Sequence, residues 1–237
     1  MSSSVQLAAL ALVTAGLGAA QSLPAATRTM GTFEGRPIVV ATPASDLSGY
    51  HPEGRTTLCL EGPPRRQCYA SPEGYGFQPQ VKLVEIDKGQ RAIFFSVVSG
   101  GVSGRMVHLA LLHPGSDAEL DDWFFGDASV SSSGQYEFWT EPVLSSAPML
   151  VTADYVTGPE ECRSCPHRYL VSAYLLQQSY SFPEGRYYLQ DCYMTRRQYD
   201  RWAPGQDILA AEKTEILARL KKVAAETKGL LPPNLQD

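Results

Sequence analysis

Two runs of β-branched, aromatic and aliphatic residues dominate the stretch Met149–Leu176: Met-Leu-Val-Thr-Ala-Asp-Tyr-Val at its start and Arg168–Leu176 at its end. The loop between them holds Gly158, Pro159, Cys162, Cys165 and Pro166. Runs of this kind bounded by Gly and Pro read as paired strands. A strand pair cannot bury its apolar side chains alone, so the rest of the chain must supply further sheet.

The remainder meets that demand. Pro37–Thr42, Thr56–Leu60, Val81–Ile86, Arg91–Val98, Met106–His113, Gln135–Thr140 and Tyr187–Thr195 each read as strands. Gly- and Pro-bearing segments separate them, with Pro43–Arg55, Ser71–Pro79, Ser99–Gly104, Ser129–Gly134 and Phe182–Arg186 as loops or turns. Asp87-Lys88-Gly89-Gln90 reads as a hairpin turn in which Gly89 takes a positive φ. Val81 and Leu83 share one face of their strand, while Val84 and Ile86 share the other, which predicts a central strand. Ile93–Val98 is almost continuously apolar and is expected deep in the core. Ala118–Phe125 is expected to make a helical turn, with Leu120, Trp123 and Phe124 inward.

This spacing predicts a mainly β fold: an antiparallel β-sandwich or partly open barrel with a C-terminal amphipathic α-helix. No βαβ alternation is present, which argues against a doubly wound sheet. The helix is expected over Asp207–Thr227, with Leu209, Ile216, Leu217, Leu220 and Val223 on one stripe. Asp207 suits the N-cap, and Glu215 and Arg219 stand four apart as an ion pair. Lys221, Lys222 and Lys228 lie late, matching the helix dipole, and Gly229, Pro232 and Pro233 end the helix. The stripe must cover either the sheet or a partner helix in a homodimer.

The organisation follows as 1–20 signal peptide, 21–36 flexible arm or linker, 37–203 β-rich domain and 204–237 helix and tail packed on it. Val5–Ala20 is apolar and uncharged, and its 16 residues are short for a membrane span of about 20. It fits the apolar region of a signal peptide, with Gly18-Ala19-Ala20 before the cut, although no Lys or Arg precedes it. The competing reading is an uncleaved, buried N-terminal helix. The mature chain then has no transmembrane segment, and its compartment is periplasmic or extracellular. Five cysteines suit export: Cys59 with Cys68 and Cys162 with Cys165 are the natural pairs. Cys192 remains as a buried thiol in a strand, unless it bonds one of the other four.

Charge limits the partners. A net charge of −5 with no concentrated basic face excludes a nucleic-acid-binding surface. Among candidate chemical motifs, Cys162-Arg163-Ser164-Cys165-Pro166-His167 is the most suggestive. Pro166 stands where a c-type haem motif needs His, and no helix follows to activate a redox thiol. A structural disulfide is the expected role, with a metal site on Cys162, Cys165 and His167 as the alternative. His108 and His113 are five apart on a strand and therefore on opposite faces. His51 lies in a loop. Gly101-Val102-Ser103-Gly104-Arg105 lacks the glycine that a nucleophile elbow needs at its end. Asp121-Asp122 and Glu160-Glu161 read as solvated acids.

Arg196, Arg197, Tyr199, Arg201 and Trp202 form the one patch suited to a small anionic or sugar ligand, through charge and stacking. The same residues can instead cover the junction between the last strand and the helix. No catalytic motif stands out and no cofactor is expected. The chain reads as an exported binding or structural module, acting on a protein or a small ligand. The alternative is a hydrolase-like or metal-dependent enzyme whose site is assembled from dispersed residues.

Overall fold

The computed structural model describes residues 25–45, 52, 54–87, 89–100, 105–157, 162, 165–178, 181–200 and 206–230, with side chains to 226 in the last segment. The expectations for residues 1–20, His51, 101–104, Glu160, Glu161, Arg201, Trp202, Lys228 and 231–237 lie outside the described residues.

The fold is mainly β, with antiparallel sheets and one C-terminal helix. The first sheet is a meander of β1 (Ala26–Phe33), β2 (Arg36–Thr42), β3 (Thr57–Leu60) and β4 (Gln67–Ala70). A second sheet has the order β5 (Tyr75–Asp87), β6 (Gln90–Ser99), β7 (Met106–Pro114), β8 (Leu120–Asp122), and β9 (Ala128–Ser131) also pairs with β7. A third meander holds β10 (Gln135–Trp139), β11 (Met149–Tyr155), β12 (Tyr169–Gln177) and β13 (Arg186–Met194). The helix α1 spans Ile208–Leu230.

Side-chain alternation explains how these elements stack. In β6, Ile93, Phe95 and Val97 point one way and pack with Ile38, Val40, Leu58 and Leu60 of the first sheet. Ala92 and Phe94 point the other way, toward Leu150 and Tyr187 of the third sheet. The second sheet is therefore the central layer, apolar on both faces. The third sheet is also apolar on both faces, and Met149, Val151, Tyr169 and Val171 meet Ile208, Leu209, Ile216 and Leu220 of α1. The helical stripe thus covers this sheet within the chain.

Local contacts fix the helix in place. Asp207 Oδ1 accepts from Ala210 N at 2.9 Å, as an N-cap should. Gln135 of β10 adds a second cap, its Oε1 accepting from Ile208 N at 2.8 Å and its Nε2 donating to Gln206 O at 2.7 Å. Farther along, Arg219 donates to both Asp191 oxygens of β13, at 2.6 and 3.0 Å. This fork replaces the expected Glu215 pair, because the guanidinium can be satisfied bidentately across the interface. Cys59 and Cys68 face one another across β3 and β4 and are disulfide-bonded, with Cα atoms 4.1 Å apart.

Several expectations need correction. Part of the expected arm is β1, joined to β2 by a two-residue turn with positive φ at Glu34 (51°) and Gly35 (78°). That geometry suits the twist of a tight hairpin. The segment after Asp117 forms β8 instead of a helical turn, because Cys68 N donates to Ala118 O at 3.0 Å and Gln67 Nε2 to Asp117 O at 3.0 Å. β5 begins inside the expected Ser71–Pro79 loop and is an edge strand, not a central one. Its bulges, Pro79 and outward charges are the usual protection of a sheet edge, and Leu83 is 41% exposed. Cys192 is exposed on β13 rather than buried.

The helix–sheet contact has a direct test. Leu220→Ala removes a buried side chain at that contact and should cost about 2–4 kcal/mol. Urea denaturation should register the loss, and limited proteolysis should cut α1 first. Unchanged stability would contradict the packing described.

Candidate functional site

The arginine–aromatic patch divides when placed on the fold. Arg196 and Arg197 are exposed, whereas Tyr199 is 2% exposed and belongs to the core between the third sheet and α1. The Tyr199 hydroxyl donates to Glu212 Oε1 at 2.5 Å, and Tyr193 donates to the other oxygen at 3.0 Å. Burial and the Glu212 carboxylate together push the Tyr199 phenol up to about 12. Its backbone exchanges two hydrogen bonds with His167, and the Arg197 guanidinium lies 5.3 Å over its ring. Tyr199 thus sits at the junction between the third sheet and α1, with contacts to both its ring and its hydroxyl.

The cysteine loop has contacts of its own. Cys162 and Cys165 are disulfide-bonded, and Cys165 N donates to Cys162 O at 3.0 Å. His167 is buried, its Nε2 donates to Cys162 O at 2.7 Å, and its ring packs on Tyr155 at 4.7 Å. In this arrangement the two sulfurs bond each other and His167 Nε2 is engaged with a backbone carbonyl. No group of three or more metal-binding side chains occurs among the described residues.

A buried polar cluster accompanies the central sheet. Tyr69 and His108 Nε2 are hydrogen-bonded at 2.6 Å, and Tyr75 packs 5.6 Å from the imidazole. Burial lowers the His108 pKa to about 4, against a smaller opposing pull from Asp127. His113 has separate surroundings and stacks on Trp123 at 4.8 Å. Asp122, expected to be solvated, is instead half-buried, and its Oδ1 accepts from Leu111 N at 3.0 Å and Phe124 N at 3.1 Å. Burial raises its pKa to about 7 despite those two bonds. These groups hold β7, β8 and β4 together, and sequence spacing alone did not bring them into one place.

Among the described residues, the concave regions outside these clusters include two that border β5. One, of about 380 Å³, opens between β5 and β10 over Phe94 and Phe138, whose rings interlock edge to face at 5.1 Å. The other, of about 290 Å³, lies between β1, β2 and the start of β5. Met30, Val40, Phe77 and Pro79 contribute its apolar walls, and Arg28, Thr42 and Gln78 its polar groups. Gln78 adopts a φ of 47°, in the left-handed region that L-residues avoid, where β5 bulges. Gly76 backs the wall: a Cβ there would come within 2.5 Å of the Pro52 Cβ. Sequence reasoning missed this site: Val40 and Thr42 lie on an expected strand, but Ala26, Arg28 and Met30 were read as arm and Gly76–Pro79 as loop.

The chain matches no family model, no curated protein and no solved structure. No helix among the described residues is long and apolar enough to cross a membrane.

The two shifted groups oppose one another in pH. Below its ordinary 6.5, His108 takes up a proton in the unfolded chain but not in the fold, so stability falls as pH drops toward 4. Asp122 stays protonated in the fold from its ordinary 3.8 up to about 7, so stability falls as pH rises through that window. His108→Gln should leave stability declining from pH 4 to 7, and Asp122→Asn should leave it rising from pH 4 to 6.5. Urea midpoints across this range measure both slopes. Parallel profiles for wild type and both variants would contradict the assignment.

Proposed function

We propose that this chain is an exported binding module of the periplasm or extracellular space, holding a small anionic ligand between β1, β2 and β5. One observation carries the reading: Arg28 lines that cavity, and no carboxylate lines it among the described residues. A lone guanidinium beside apolar walls favours an anion over a neutral sugar. Export is supported by the apolar Val5–Ala20 segment and by two cysteine pairs in disulfide bonds. Binding is preferred to the enzyme alternative because His108 and His167 are buried and engaged in internal hydrogen bonds. A general base needs reach to a substrate proton, which buried histidines lack.

Thermal melting of the oxidised protein against paired small anions and neutral analogues tests the reading. At a hundredfold excess over Kd, a ligand stabilises by about 2.7 kcal/mol. For a chain of this size that raises Tm by about 5–10 °C. Anions should produce this rise and their neutral analogues much less. Equal responses, or turnover of a substrate, would overturn the proposal.

A further inference from the structure

We propose that the ligand of the β1–β2–β5 cavity is a small amphipathic carboxylate, with its head on Arg28 and its apolar body among Met30, Val40, Phe77 and Pro79. This rests on the binding reading above and names the ligand class.

The argument begins with strand register. Arg28 pairs with Val40, and Ala26 with Thr42, across β1 and β2. Paired residues share a face, and Val40 is 1% exposed in the core between the first and central sheets. By register Arg28 therefore lies on the same side of its sheet as Val40, but exposed, at the rim where the core ends. No ion pair involves Arg28 among the described residues.

The rest of the lining sorts by chemistry. Thr42 donates its hydroxyl proton to Ala26 O at 3.3 Å, which leaves its oxygen lone pairs and not its proton for a ligand. The Gln78 amide makes no hydrogen bond among the described residues and can donate to a second oxygen of the head group. No acidic side chain among the described residues lines the cavity. The Arg105 guanidinium lies 5.5 Å over the Phe77 ring, so a second cation adds positive potential beside the wall. One guanidinium fork matches one carboxylate in geometry and charge. A doubly charged head would leave a net negative charge against apolar walls, which is costly.

Size selects the body. A volume of about 290 Å³ sits at the low end of small-molecule sites and accommodates about ten heavy atoms. A chain of eight carbons carrying a carboxylate fills it, whereas acetate leaves the walls wet.

Octanoate is the probe, with 1-octanol as the neutral body and acetate as the bare head. Titration calorimetry should give saturable octanoate binding, with acetate weaker by tenfold or more. Arg28→Gln, at an exposed position, should weaken octanoate by about tenfold and leave 1-octanol unchanged. Ala26→Phe, which fills the cavity, should abolish both. The Met30 methyl resonance should move with octanoate and locate the event. Arg28→Gln binding octanoate as tightly as wild type, or a silent Met30 methyl, would overturn the proposal. If other anions raise Tm while octanoate does not, the carboxylate falls and the binding reading stands; if no anion does, both fall.

Discussion

Burial of the central sheet on both faces is the constraint from which the rest follows. Phe94 faces the third sheet while Ile93, Phe95 and Val97 face the first, and all four are at most 3% exposed. Each large apolar side chain removed from water contributes about 1.5–3 kcal/mol, so neither face can be left open. Two further sheets are required, one for each face. The third sheet in turn carries Met149, Val151 and Val171 on its far side, and α1 closes that surface. In the first sheet, Cys59–Cys68 ties the last two strands together.

Much of this was legible in the chain. The run from Ile93 to Val98 announced a deep strand, and Met149–Leu176 contained a true antiparallel pair, with Leu150 opposite Tyr174. The helical stripe and its Asp207 cap were equally plain. Strong periodicity made these elements readable. What periodicity could not show was the number of layers: an apolar stripe on β11 looks the same whether a sheet or a helix covers it.

The misread segments share a cause. β1 is rich in Thr, with Thr27, Thr29 and Thr32 among few apolar residues, so its hydrophobic pattern is weak. Its hairpin turn was visible in Glu34-Gly35, a signal of turn chemistry rather than of hydrophobicity. β4 and β8 are held by contacts far apart in sequence, through Gln67 and Cys68 to residues 115–119. Misreading β1 and the start of β5 also hid the cavity, because Arg28 and Gln78 come together only once both segments are strands. Conversely, the arginine–aromatic run near residue 199 stood out in sequence, yet its buried tyrosine holds α1 to the sheet.

The claim that the doubly buried sheet organises the molecule is tested most directly by native-state hydrogen exchange. Amides of Phe94–Val97 in β6 and Leu109–Leu111 in β7 should exchange slowest, through global unfolding alone, with β11 and α1 opening at lower free energy. Protection in the third sheet or α1 that outlasts β6 and β7 would contradict the account.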